Sequence, residues 1–309
     1  MHPAASIVIF TVTSGAGFGL IFALGLPAIW GSVPQAALAW VGFGIAFALS
    51  VGGLISSTFH LGHPERAMRA FSQWRSSWLI REGVLAVVTL ALTGLYAIVC
   101  VFDLAGARIL GPICAALAAL TVYATSMIYA QLKTVDRWYN PLTPLCFLAF
   151  ALASGSILAG ALHAVFSPGP GAWPLIAAIA VFVAWTLKQR AWQQGDHAAP
   201  TSTPETATGL GGLGQVRLFE APHTGPNYLL NEMGFQVARR HAQKLRFYAL
   251  LVGGFAPLML TLAASAGVLP ALTLSLGAFA LLFGLLIERW LFFAEARHAV
   301  MTFYDRKSA

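Results

Sequence analysis

The chain has 309 residues, of which 58% are hydrophobic and only 9% charged, and its mean hydropathy is +0.74. A soluble globular domain carries about 25% charged residues. The composition excludes a soluble enzyme and points to an all-α, polytopic membrane helix bundle.

Eight apolar runs are each long enough to cross about 30 Å of hydrocarbon at about 1.5 Å per residue. They are expected near 7–30, 36–59, 79–102, 109–132, 142–166, 172–188, 247–268 and 270–293. The sixth is the shortest, opened by Trp173 and Pro174 and closed by Lys188. The last two are separated only by SAGVLPA, where Gly267 and Pro270 supply the break, so a count of seven stays open. MHPAASIVIF at the start lacks a basic n-region, and no cleavable signal peptide is expected. The whole chain, 1–309, reads as a single integral membrane domain, with 189–245 a long cytoplasmic loop between helices six and seven.

Basic residues set the orientation, because loops rich in Lys and Arg stay cytoplasmic. With eight spans, Arg108 is the one member of the 18 Lys and Arg residues that falls on the far side. Both termini are therefore expected in the cytoplasm. The acids follow the same pattern, with Asp103 alone opposite, and the membrane interior is expected to be almost free of ionisable groups. That argues against a small-molecule permease, the rival reading from another class, because transporters keep charged groups at mid-depth.

Cys100, Cys114 and Cys146 are isolated within spans and read as small core residues, with no spacing for an iron–sulfur cluster or zinc. His60, His163 and His298 fall at helix ends, which disfavours haem, so no metal ligand is assigned. GAGFG at 15–19 lies inside an apolar helix, where small residues let helices approach closely. GLGGLG at 209–214 lacks the strand and helix of a nucleotide-binding loop.

One segment breaks the apolar pattern: HLGHPERAMRAFSQWRSSWLIRE, from His60 to Glu82. Pro64 and Glu65 suit a first helical turn, and Met68, Phe71 and Trp74 recur at a spacing that fits an element lying in the interface. His60 ends the second span and Glu82 opens the third, so an imidazole and a carboxylate can face one another at the rim of the bundle. A quinone headgroup reacts with two electrons and two protons, and it needs such proton-exchanging groups nearby. The alternative is that His60 and Glu82 cap helix ends and pair with arginines. Trp74, Trp78, Trp138 and Tyr139 read as an interfacial belt, and the adjacent Glu288 and Arg289 as a local ion pair or helix-end charge.

FHLGHPERAMRAF…SSWLIREG resembles the signature of the membrane anchor subunit of the dimethyl sulfoxide reductase family, where HLG-x-P-x-RA is followed by a glutamate opening the next helix. TVDRWYNPLTPLCF (134–147) and the eight-helix layout extend the resemblance over most of the chain. It implies a bacterial inner-membrane protein that binds menaquinone or ubiquinone and holds no haem or iron–sulfur cluster itself. Its implied partners are a ferredoxin-like iron–sulfur subunit and a molybdopterin catalytic subunit. By matching position, His60 and Glu82 inherit the quinone-site role. His63, Arg66, Arg69, Arg81 and Trp78 are further candidates for the headgroup, the arginines serving equally for docking or for lipid phosphates.

Two departures from the best-known member stand out. The charge count puts the His60–Glu82 edge in the cytoplasm, and 188–246 forms a long segment. Within it, GDHAAPTSTPETATG reads as a mobile linker and FEAPHTGPNYLLNEMGFQVARRHAQKLR as an amphipathic surface element. Both departures resemble the anchors of cytoplasm-facing sulfite dehydrogenases, which deliver electrons into the quinone pool. A dimethyl sulfoxide, S-oxide or N-oxide reductase anchor oxidising menaquinol is the alternative within the family.

Overall fold

A computed structural model describes residues 4–59, 69, 71–198, 202–217, 219–220 and 241–304. Among these, eight helices are long and apolar enough to cross a membrane: α1 (Ala5–Trp30), α2 (Ala36–Thr58), α3 (Trp78–Val101), α4 (Ala107–Ala130), α5 (Leu142–Phe166), α6 (Trp173–His197), α7 (Ala242–Ser265) and α8 (Pro270–Ala294). The break between α7 and α8 lies where Gly267 and Leu269 adopt positive φ, which settles the count at eight. Two boundaries move. The sixth helix runs on to His197 instead of stopping at Lys188, and the seventh starts at Ala242, so the loop between them is shorter than 189–245. Helix continuation past Lys188 follows from the good helix formers in KQRAWQQ. Part of the linker also folds, as a single-turn helix Pro204–Thr208 capped reciprocally by Thr203 and Thr206.

Helix α1 is the centre of the bundle, packing against α2, α4, α5 and α8. Its residues are buried almost all round: Phe18, Leu20 and Ile21 are each 1% exposed or less. Small residues make this packing possible. A Cβ built on Gly19 would lie 1.9 Å from the Ala151 carbonyl oxygen, and one on Gly155 2.1 Å from that of Gly19, so α1 and α5 touch backbone to backbone through the GAGFG stretch.

Helix α3, at the periphery, shows the opposite arrangement. Glu82, Ala86, Thr89, Thr93, Tyr96 and Cys100 are buried, at spacings of three and four, while Leu79, Val87, Val88, Leu95 and Ile98 are exposed. The polar stripe faces protein and the aliphatic face meets lipid, which is the inversion a bilayer requires. Across this stripe Thr89 and Thr121 hydroxyls lie 3.0 Å apart, and the Tyr96 hydroxyl donates to the Leu24 carbonyl at 3.2 Å. The three cysteines are buried in the core.

Helix α7 contains a π-helical stretch at Leu251–Phe255. Gly253 there meets Gly284 of α8 so closely that a Cβ on Gly284 would sit 2.2 Å from the Gly253 Cα. The Trp185 indole of α6 donates to the Gly253 carbonyl at 2.6 Å, satisfying a group left free by the distorted ladder.

Candidate functional site

The basic ends of the helices collect most of the buried charge. Glu82, in the first turns of α3, is 3% exposed. Its Oε1 accepts a hydrogen bond of 2.7 Å from the Thr125 hydroxyl of α4, which is its partner among the described residues. The carboxylate therefore points into the bundle, and among those residues it does not pair with an arginine, as the capping alternative had it.

The candidate residues around Glu82 separate. His60, His63 and Arg66 lie outside the described residues. Arg69 is exposed, and its carbonyl accepts from Ser72. Arg81 is committed to its own loop: Nε donates to the Trp74 carbonyl at 3.0 Å, Nη2 to that of Arg75 at 2.5 Å, and the guanidinium lies 4.4 Å from the Trp78 ring centre. It fastens the turn that joins Phe71–Gln73 to α3. Trp78 packs edge-on against Tyr123, with centroids 5.9 Å apart. Trp74 and Tyr139 are half-exposed, as belt residues are, but Trp138 is not one of them. It is 4% exposed, its indole donates to the Phe292 carbonyl at 2.9 Å, and it stacks among Tyr129, Phe292 and Phe293. Its aromatic neighbours from α4 and α8 draw it inward, a contact between residues far apart in sequence.

Three of the charges read as helix-end groups are buried within the protein, and the adjacent Glu288 and Arg289 form the expected ion pair. Lys188 of α6 pairs with Glu288 of α8, and Glu288 pairs with the adjacent Arg289; the three are 5%, 0% and 4% exposed. Burial of these ions is tolerable because they compensate one another and because both cations lie over rings: Arg289 is 4.1 Å from the Phe147 centroid and Lys188 5.2 Å from that of Trp192. The triad carries a net charge of about +1 at neutral pH, and Arg289 Nη1 has no acceptor among the described residues.

Nearer the surface a second network joins four elements. Arg137 donates to Asp196 at 2.6 Å and to Glu295 at 3.3 Å, while Arg246 donates to Asp196 at 2.6 Å and to Glu295 at 3.0 Å. It ties the loop before α5 to the ends of α6 and α8 and the start of α7. The 297–299 stretch is held alongside, where Val135 and His298 form an isolated bridge and the Ala299 amide donates to the Thr134 carbonyl.

A small cavity lies between Thr125, the partner of Glu82, and Arg289 of the triad. Thr11 and Ser14 of α1, Thr125 of α4, Ser154 of α5 and Arg289 of α8 supply its polar lining, with about 20 Å³ of free space. Thr125 thus faces the cavity on one side and Glu82 on the other. The Thr125 hydroxyl, bonded to the buried Glu82 carboxylate, and Arg289, whose Nη1 lacks an acceptor among the described residues, line a space large enough for one water, an arrangement chemically able to pass a proton. No sequence signal marks Thr125, and Lys188 reads there as a helix end.

A family model described as DMSO reductase anchor subunit (DmsC) matches residues 1–207. The chain is 32% identical to a sulfite dehydrogenase subunit of Allochromatium vinosum over 99% of both chains. It is 33% identical to anaerobic dimethyl sulfoxide reductase chain YnfH of Escherichia coli over 36% of this chain and 39% of that one. No solved structure matches. The full-length similarity and the eight-helix architecture together show that the chain belongs to the DMSO reductase anchor subunit (DmsC) family.

Proposed function

We propose that this anchor subunit exchanges electrons between an iron–sulfur partner and the membrane quinone pool, with Glu82 as the proton-handling group. The observation that carries the reading is Glu82 itself, buried at the basic end with a hydroxyl relay and an adjoining polar cavity. A quinone, when bound, supplies the two-electron, two-proton couple; the chain's own task is to move protons and exclude bulk water. Glu82 holds a proton in a site shielded from lipid, Thr125 orients the carboxyl, and the Lys188–Glu288–Arg289 triad keeps the local field positive. His60, at the end of the preceding span in sequence, is the second proton-exchanging group in this reading, whereas Arg81 is held in its own loop.

A molybdopterin catalytic subunit and a ferredoxin-like subunit dock at the basic end, which faces the cytoplasm of a bacterial inner membrane by the charge rule. The substrate assignment leans to sulfite oxidation, since the relative that spans the whole chain is a sulfite dehydrogenase subunit. Under the alternative, supported by the shorter match to a dimethyl sulfoxide reductase chain, electrons run from quinol to an S- or N-oxide.

Purification of the tagged chain in mild detergent, with mass spectrometry of its partners and assays for molybdenum, iron and quinone, tests this reading. Both partners and a bound quinone are expected. A chain that emerges alone, without metal or quinone, returns the permease to consideration. In the assembled complex, Glu82→Gln should leave the partners attached and cut quinone-linked turnover at least tenfold; wild-type turnover would remove Glu82 from the mechanism.

A further inference from the structure

The polar cavity behind Thr125 shares Phe18, Val122 and Ala151 with an apolar groove between α1, α4 and α5. The groove holds about 240 Å³ of free space and is bounded outside by Ala119, Leu148 and Leu152, the last of them 40% exposed on the lipid-facing side. A second apolar groove, between α5 and α6, is of similar size, about 300 Å³, but it meets no polar group among the described residues. The first groove is itself lined by apolar residues, but three of them also wall the polar cavity, so an apolar slot reachable from lipid lies directly beside polar groups, the two features that isoprenoid quinones require.

Resting on the quinone reading above, we propose that the α1–α4–α5 groove is the site of the quinone ring and its first isoprene units, and that the cavity behind it holds the water linking a ring oxygen to Glu82. Size decides this division. About 20 Å³ admits one water and no ring, whereas about 240 Å³ accommodates a ring with part of its tail. Arg289 Nη1, buried and without an acceptor among the described residues, is the donor that fixes the water, and the Thr125 hydroxyl is its link to Glu82. In the direction of quinone reduction the water gives a proton to the ring oxygen, Thr125 replaces it, Glu82 replaces that of Thr125, and Glu82, left as a carboxylate, is re-protonated from bulk water at the basic end so that the same relay supplies the second proton of the quinol. The electrons come from the iron–sulfur partner. Thr125 is thus a positioning residue, and Ala119, Leu148 and Leu152 select for a prenylated ring.

The test is quinone-linked turnover of the purified complex with ubiquinone-1 and with ubiquinone-0, which lacks the isoprene tail. Ala119→Phe fills the groove and should raise KM for ubiquinone-1 about tenfold, Ala119→Val less. Val183→Phe, in the second groove, should leave KM unchanged. Thr125→Val should lower kcat about tenfold with KM little altered, and Thr125→Ser should restore it, a split that a purely structural role would not produce. Ubiquinone-0 should be less sensitive to Ala119→Phe than ubiquinone-1. Equal effects of Ala119→Phe and Val183→Phe would indicate ordinary lipid in both grooves and overturn the proposal. Wild-type kinetics in the Ala119 variants, with Glu82→Gln still impaired, would overturn the groove and leave the proposed function standing. A wild-type complex with no quinone-linked turnover would overturn both.

Discussion

Replacing Glu288 by Gln tests whether the buried triad is held by charge compensation. Glu288 is fully buried between Lys188 and Arg289. Glu288→Gln keeps the shape and a hydrogen-bonding oxygen but raises the buried charge of the triad from about +1 to about +2, with neither cation compensated. Breaking a buried ion pair from one side costs about 3–5 kcal/mol. Lys188→Met acts in the other direction: it leaves the Glu288–Arg289 pair intact and neutral, forfeits the Lys188 contacts with the Trp192 and Phe292 rings, and should cost about 1 kcal/mol or less. The double variant returns the triad to about +1 and should recover part of the loss, because groups in contact are not additive. Thermal inactivation in detergent, followed by the fraction of monodisperse chain after heating, ranks the variants. The expected order of stability is Lys188→Met above the double variant, and Glu288→Gln lowest. If Lys188→Met is as damaging as Glu288→Gln, or the double variant is no better than Glu288→Gln, charge compensation does not govern the site.

Trp138→Phe removes the indole bond to the Phe292 carbonyl while keeping a ring, and should cost about 1 kcal/mol; Trp138→Ala should cost about 3–5 kcal/mol, read in the same heating assay. An interfacial belt residue would show neither loss. Gly284→Ala should separate α7 from α8 and sharply reduce the yield of monodisperse protein, whereas Gly44→Ala, with nothing within 4 Å of the new Cβ, should be neutral or stabilise by up to about 1 kcal/mol. Equal yields would mean that the two helices pack differently. Arg81→Met should release the 74–76 turn to proteolysis without affecting Glu82 burial; an unchanged digestion pattern would show that the two carbonyl bonds do not hold that turn.

Hydropathy makes the eight spans legible, since in a bilayer length and apolarity alone decide which segments cross. The break at SAGVLPA follows from Gly267 and Pro270, and the close packing at GAGFG from its small residues. The charge bias of the loops is likewise a linear property of the chain, as is the family signature from His60 to Glu82. Helix ends are harder. The apolar run stops at Lys188 while the helix formers after it carry the helix on, so an end at Lys188 falls about two and a half turns short of the observed one. The site is only partly visible, because its partners are distant in sequence: Thr125 lies 43 residues from Glu82, and Arg137 lies 158 from Glu295. Composition and hydropathy are enough to make the chain a polytopic membrane bundle with its charge biased to one end. Tertiary structure decided that Glu82 turns inward to Thr125, that Lys188, Glu288 and Arg289 are buried together, and that Trp138 belongs to the core. Those outcomes depend on which faces of α1, α3, α4, α6 and α8 meet, and helix packing sets that through side-chain shape and pairing that no single segment contains.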